Sequence, residues 1–261
     1  MLKISRKVLH PKIDFFIQKI ISRNNINFCK LNFGFWNTLY QVEKNKILPN
    51  FNSIIEPDGW LNLYGHEFLD EIKKIINLLP QENITFAASD ASAPQVTHYE
   101  AAIVNLNDFI FSHFPNDFPI IKGWIMKDYA QKNELEYLVE IIAKNHDVLV
   151  VGLEHTNQLS SKFNFRKFEH LEISFEAGKQ RHEIKEKIKT MIKKMNDPCV
   201  IYQAGESLSL WFTYELLKEN CKHNSFDFGR CLDKWCKVDK FYEILPDIKD
   251  QPWQKFILLK S

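Results

Sequence analysis

Short apolar runs alternate with helix-like stretches along most of this chain. Six runs have the length and composition of buried strands, at 28–33, 84–88, 148–152, 171–174, 199–204 and 225–228. Between them, apolar residues recur every three or four positions, which predicts helices at about 66–78, 96–112, 133–144, 181–195 and 207–221. This alternation predicts an α/β, Rossmann-like fold with a mostly parallel sheet and helices on both faces.

Two segments depart from that alternation. Residues 11–23 place Phe16 and several isoleucines on one helical face among lysines, which predicts an amphipathic N-terminal helix. Packing on its own domain and contact with a membrane surface both explain such a helix. Residues 41–64 contain Pro49, Pro57 and Gly59. This composition and length predict an irregular stretch that covers one end of the sheet. No repeat or linker interrupts the chain, so we expect a single domain over residues 1–261.

Composition narrows the expected partners and compartment. The 34 basic and 33 acidic side chains leave a net charge of +1, which gives no chain-wide attraction to nucleic acid. Five cysteines lack the CxxC spacing of zinc sites, so we expect reduced thiols in a cytoplasmic protein. No stretch of ~18 uncharged residues predicts a membrane-spanning helix. The N-terminal lysines precede no apolar signal region, and a peripheral contact at the inner face of the membrane stays open.

The end of the fifth predicted strand carries the strongest candidate chemistry. This strand runs into Gly205, Glu206 and Ser207 and then directly into a helix. A serine N-cap after a glycine leaves backbone N–H groups at the helix N-terminus, where α/β proteins hold phosphates and other anions. Glu206 is either a capping residue, stabilised by the helix dipole, or a catalytic base. Asp227 alternates with two phenylalanines and therefore faces into the opposite layer or toward the same cleft.

Polar residues also follow three other predicted strands, at the end of a sheet where ligands collect. The first strand leads to 32–37, where Gly34 permits close backbone approach and Trp36 is either a core residue or a stacking surface. The second leads to Asp90 in a loop of small residues that is typical of a helix cap. The third leads to 154–157, four polar residues that suit a surface loop or a site equally well.

Three short stretches follow one another in the second half of the chain. They are Gln203-Ala-Gly-Glu-Ser-Leu-Ser209, Phe226-Asp-Phe-Gly-Arg230 and Leu232-Asp-Lys-Trp235. The order of the first two resembles that of the GT-D glycosyltransferases, in which a Leu-Gly-Pro-Thr-Ala-like turn precedes an Ile-Asp-Ile-Gly-His strand. The resemblance covers about 147–235 and implies transfer of a sugar from a nucleotide-sugar donor to a cell-surface glycan or protein acceptor.

The chain departs from that family at the residues associated with a metal. The family's Arg-Phe-Gly-Asp-Gly-Glu turn corresponds to Asn32-Phe-Gly-Phe-Trp-Asn37, so Phe35 and Asn37 stand where an Asp-x-Glu pair is associated with a divalent ion. Neither side chain is an anionic ligand for a hard cation. The resemblance therefore implies a divergent, metal-independent enzyme with no cofactor beyond its nucleotide-sugar co-substrate. The alternative is a non-catalytic nucleotide- or sugar-binding subunit on the same scaffold.

The glycosyltransferase interpretation assigns roles to particular residues. The expected bases are Glu206, Asp227 and Asp90, in that order. A Rossmann methyltransferase or dehydrogenase is less favoured, because no Gly-x-Gly-x-x-Gly follows the first strand. The expected donor-binding residues are Asn32, Gly34, Asn37, Glu154, Gly205, Ser207, Gly229 and Arg230.

Overall fold

The computed structural model of the chain describes residues 8–31, 33–44, 57–88, 108–174, 176–205 and 207–236. The strands within them are β1 (Asn27–Leu31), β2 (Thr85–Ala88), β3 (Ile121–Lys122), β4 (Asp147–Gly152), β5 (Lys167–Glu172), β6 (Pro198–Tyr202) and β7 (Asn224–Asp227). They form one parallel sheet in the order β3-β2-β1-β7-β6-β4-β5. This sheet and its helices confirm the predicted α/β, Rossmann-like fold.

Helices cover both faces of the sheet. Those whose bounds the described residues give are α1 (Asp14–Ile21), α2 (Phe33–Lys44), α3 (Pro57–Leu78), α4 (Ile125–Gln131), α5 (Glu134–Asn145), α6 (Leu159–Lys162), α7 (Arg181–Ile192) and α8 (Leu208–Lys218). Short 3₁₀ helices span Leu79–Gln81, Glu154–Gln158 and Gly229–Trp235. One apolar layer packs α2, α3, α7 and α8 on the sheet, and the other packs α1, α4, α5 and α6.

Strand β4 shows why the centre of the sheet reads as a continuous apolar run. Val148 and Val150 contact one layer, while Leu149 and Val151 contact the other, because successive side chains point to opposite faces. All four are fully buried. The register with β6 runs from Asp147 opposite Pro198 to Val151 opposite Tyr202. The carboxyl ends of β4 and β6 therefore lie side by side.

Among the elements that sequence periodicity misplaced or missed are one edge strand, one short strand and one short helix. The strand predicted at 171–174 is β5, which begins at Lys167. It is an edge strand with half-exposed side chains, so polar residues interrupt its apolar pattern. The two-residue strand β3 and helix α4 were not predicted, since both are too short for a periodic signal. Of the helix predicted at 96–112, residues 108–112 are helical and the rest lie outside the described residues.

The prediction of an irregular segment over 41–64 is wrong at both of its described ends. Helix α2 continues to Lys44, and α3 begins at Pro57, with one break in helical dihedral angles at Gly65 (φ 82°). Of the turn expected at 32–37, residues 33–37 are the first part of α2. Phe35, Trp36 and Leu39 are buried on one side of α2, and their packing favours helix despite the glycine near its start.

The predicted N-terminal helix is confirmed as α1, and it packs on its own domain. The Phe16 ring contacts Phe28 of β1, with centroids 5.3 Å apart, and Tyr129 of α4, at 6.1 Å. The Tyr129 hydroxyl donates a hydrogen bond to the Pro11 carbonyl at 2.6 Å. These contacts explain the apolar face of α1. No helix among the described residues is both long and apolar enough to cross a bilayer.

All five cysteines are free thiols, as expected from their spacing. Cys29, Cys199 and Cys236 are buried. Burial raises the pKa of Cys29 to about 12, so this thiol stays protonated at neutral pH. These three cysteines therefore act as small apolar side chains in the core.

Candidate functional site

The crevice at the carboxyl ends of β4 and β6 is the best-placed candidate site. After β4, the chain enters the layer that contains Leu159 and Phe163. After β6, it enters the opposite layer, through Leu208 and Leu210 of α8. Neighbouring parallel strands whose connections leave to opposite faces open a crevice between their ends, and α/β proteins bind ligands there.

The N-terminus of α8 forms one wall of this crevice. Gly205 has a φ of 88°, which glycine adopts without strain, and a Cβ there would lie 2.7 Å from the Tyr64 hydroxyl oxygen. Ser207 occupies the N-cap position predicted for it, but its side chain makes no capping hydrogen bond. Its Oγ is fully buried and has no partner among the described residues. A buried hydroxyl without a partner and the first backbone N–H groups of α8 therefore occur together at this helix N-terminus, a combination that favours an anion.

Gly152 makes room for the polar groups of the other wall. A Cβ at Gly152 would lie 2.8 Å from Thr156 Oγ1 and 3.2 Å from Gln203 Cβ. Thr156 Oγ1 donates to the Leu153 carbonyl at 2.7 Å, and this bond fixes the first turn of the 3₁₀ helix after β4. Gln203 follows β6 directly, is 8% exposed, and has an Oε1 without a partner among the described residues.

Asp233 joins the two strand ends. Its Oδ1 accepts hydrogen bonds from His155 Nε2, at 3.0 Å, and from Gln203 Nε2. Its Oδ2 accepts a hydrogen bond from Arg230 Nε at 3.0 Å. We call His155, Gln203, Arg230 and Asp233 the Asp233 cluster. The cluster is partly exposed: the side chain of His155 is 15% exposed and that of Asp233 is 17% exposed.

Asp227, one of the predicted bases, lies in a separate and closed arrangement. Its Oδ1 is 3.7 Å from Lys30 Nζ, and its Oδ2 accepts a hydrogen bond from the Ser209 hydroxyl. Asp227 is 2% exposed, and burial raises its pKa, although Lys30, Ser209 and the Gly229 N–H favour the charged form. A Cβ at Gly229 (φ 51°) would lie 2.6 Å from Lys30 Nζ. These contacts support a structural role for Asp227 better than the predicted role of base.

The structure brings together part of the predicted site. Gly205, Ser207 and Arg230 lie at the carboxyl ends of β6 and β7, and Glu154 is exposed at the end of β4. Asn32, Asp90 and Glu206 lie outside the described residues. Gly34 and Asn37 belong to α2, which follows β1, and β7 separates that strand from β6.

Sequence reasoning missed Gln203 and Asp233 and did not single out His155. Their signal was present, since His155 follows β4 and Gln203 follows β6 directly. Asp233 comes from a 3₁₀ helix after β7, where no strand end marked it. No group of three or more His, Cys, Asp or Glu side chains is arranged to hold a metal within the described ranges. Phe35, at the position of a metal-associated family residue, is fully buried.

Comparisons of the chain with protein-family models, with curated proteins and with solved structures gave no match.

Proposed function

We propose that this chain is a metal-independent glycosyltransferase that moves a sugar from a nucleotide-sugar donor to a cell-surface glycan or protein acceptor. The observation that carries the proposal is the buried, unpartnered Ser207 hydroxyl at the N-terminus of α8, inside the crevice between β4 and β6. Helix dipole, backbone N–H groups and hydroxyl all favour an anion at this point. The donor diphosphate is the anion that the GT-D resemblance supplies.

The two walls of the crevice suit the two parts of such a donor. Gly205 lets the backbone approach a phosphate, and Ser207 offers a hydroxyl donor. On the other wall, the Gln203 Oε1 needs a donor, which a sugar or ribose hydroxyl provides. Arg230, whose Nε is bonded to Asp233, lies beside them with a half-exposed side chain and suits the outer phosphate.

A non-catalytic nucleotide- or sugar-binding subunit is the second candidate. The replacement of the family's carboxylate pair by Phe35 and Asn37 favours it, since a metal normally offsets the charge of the leaving diphosphate. Both candidates require donor binding in the same crevice. Only the enzyme turns the donor over.

A thermal-shift panel of nucleotide sugars, each with EDTA and with manganese, tests the proposal. A donor at a hundred times its Kd adds about 2.7 kcal/mol of stability. Ser207→Ala should weaken its binding by about 1.5 to 3 kcal/mol, the range for hydrogen bonds to charged groups. Ser209→Ala is the matched control, because Ser209 is also buried in the first turn of α8 but bonds Asp227.

The outcomes separate the candidates. Binding and turnover in EDTA support the enzyme, and binding without turnover supports the subunit. Activity that EDTA abolishes and manganese restores contradicts metal independence. A panel without any stabilising donor contradicts both candidates.

A further inference from the structure

The Asp233 cluster contains a histidine–carboxylate pair that the phosphate wall does not use. Asp233 accepts three hydrogen bonds, from His155, Gln203 and Arg230, so its carboxylate is held in one orientation. His155 comes from the end of β4, and Asp233 comes from the 3₁₀ helix after β7. The pair therefore spans the mouth of the crevice.

The pairing fixes which nitrogen of His155 carries the proton. A carboxylate only accepts hydrogen bonds, so the Nε2 that contacts Asp233 carries the hydrogen of the neutral ring. The lone pair then lies on Nδ1. Among the described residues, the bond to Asp233 is the only hydrogen bond of this ring. An imidazole with one nitrogen anchored by a carboxylate and the other open is arranged to accept a proton.

The charged groups around His155 are few and identifiable. Asp233 and Arg230 face it from the 3₁₀ helix after β7, and Glu154 precedes it in its own turn. His170 of β5 lies nearby, with its Nε2 2.9 Å from Thr156 Oγ1. Burial lowers the pKa of His170, so it stays neutral at pH 7 and adds no positive charge there.

We infer that His155, oriented by Asp233, is the general base that takes the proton of the acceptor hydroxyl. The inference rests on the proposed glycosyltransferase function. The acceptor oxygen forms a bond to the anomeric carbon of the donor sugar as the bond from that carbon to the diphosphate oxygen breaks. The proton moves to Nδ1 of His155, and the leaving diphosphate takes the electron pair. The Asp233 carboxylate stabilises the imidazolium that forms.

A second histidine–aspartate pair at the other end of the same strands provides a matched control. His146 precedes β4, and its Nδ1 is 3.2 Å from Oδ2 of Asp197, which precedes β6. His146 is 2% exposed and lies away from the crevice. If the pair at the crevice only connects two segments, changes in either pair should have effects of the same kind.

The first measurement needs no ligand. Nitrogen-15 NMR of the full chain should show His155 as the Nε2–H tautomer at pH 8. Asp233→Asn should shift it toward the Nδ1–H tautomer, because an amide offers a donor where the carboxylate accepted. An Nδ1–H tautomer in the unmodified protein overturns the inference.

The second measurement uses the donor found in the nucleotide-sugar panel. His155→Gln should lower turnover by roughly a hundredfold or more while donor affinity changes less than twofold, and should remove the acidic limb of the pH–rate profile. His146→Gln should keep both the rate and the profile.

Normal turnover in His155→Gln, together with a large loss in Glu206→Gln, assigns the base to Glu206 and overturns the inference. Weaker donor binding with unchanged turnover of bound donor makes His155 a binding residue and also overturns it. A panel in which donors bind but are not turned over contradicts the catalytic role, and a panel without binding contradicts the proposed function itself.

Discussion

The two ends of strands β4 and β6 carry the same kinds of side chain in different arrangements. At the amino end, Asp147 accepts hydrogen bonds from Arg166 Nε at 2.9 Å and from the Asn196 N–H at 2.7 Å. At the carboxyl end, Asp233 accepts from Arg230, His155 and Gln203. Each end also has a histidine paired with an aspartate, His146 with Asp197 at the amino end and His155 with Asp233 at the carboxyl end. The carboxyl end adjoins the N-terminus of α8.

The comparison shows that residue type alone does not identify a site. An unpartnered atom does not identify one either, since Nε2 of His146 at the amino end is buried without a partner. The carboxyl end differs because the connections after β4 and β6 leave to opposite layers, and two buried polar atoms, Ser207 Oγ and Gln203 Oε1, have no partner there among the described residues. His155 is also 15% exposed, against 2% for His146.

The largest expected effect is on stability at the amino end. Asp147→Ala removes a buried carboxylate that Arg166 and the Asn196 N–H both use, and we expect a loss of about 3 kcal/mol. Asp233→Ala should cost about 1 kcal/mol, because Asp233 and two of its three partners, His155 and Arg230, are partly exposed. Urea unfolding of both variants measures the difference. Equal losses would show that Asp147 and Asp233 contribute equally to the free energy of unfolding.

The next effect is on donor binding, at the carboxyl end alone. Arg230→Ala should weaken donor affinity by about 1.5 to 3 kcal/mol if this guanidinium contacts the diphosphate. Arg166→Ala is the matched control, since it also pairs with an aspartate through Nε and is partly exposed. Calorimetric titration with the donor gives both values. Unchanged donor affinity in a folded Arg230→Ala protein would show that Arg230 does not contact the donor.

Asp147, at the amino end, should contribute to the pH dependence of stability. Burial would raise the pKa of Asp147, but hydrogen bonds from the Asn196 N–H and Arg166 hold it below its ordinary value. A carboxyl with a lowered folded pKa stabilises the protein above its unfolded pKa of about 3.9, and this contribution is lost as the pH falls. The difference in unfolding free energy between the protein and Asp147→Asn should be about 2 kcal/mol at pH 7 and should shrink below about pH 4. A difference that grows on acidification contradicts this assignment.

The smallest effect separates backbone strain from ligand contact at Gly205. Gly205→Ala places a side chain at φ 88° and 2.7 Å from the Tyr64 hydroxyl, and we expect a loss of about 1 to 2 kcal/mol in stability. Gly65→Ala has the same kind of strain, at φ 82°, with no atom within 4 Å of the new Cβ. Both variants should melt earlier, but only Gly205→Ala should also weaken donor binding. Equal donor affinity in the two variants would show that the phosphate does not bind at the N-terminus of α8.

Much of the scaffold could be predicted from local sequence. Apolar runs gave β4, β6 and β7 to within one or two residues, because buried central strands leave a continuous apolar signal. The helix N-terminus at Gly205 and Ser207 followed from a glycine and a serine between a strand and an apolar stripe. The start of β5 and helix α2 were missed, since edge strands and glycine-containing helices weaken the local pattern.

The sequence by itself determined the fold class, the buried strands and the helix N-terminus, because these depend on the period of apolar positions and on capping residues a few positions apart. Only the tertiary structure decided how the polar side chains are paired. His155 and Asp233 are 78 positions apart and meet because β7 lies beside β6, which lies beside β4. In the same strand order β7 lies beside β1, and Asp227 of β7 therefore pairs with Lys30 of β1. Local periodicity carries no information on strand order, so the choice between Asp227 and Asp233 could be made only once the sheet had assembled.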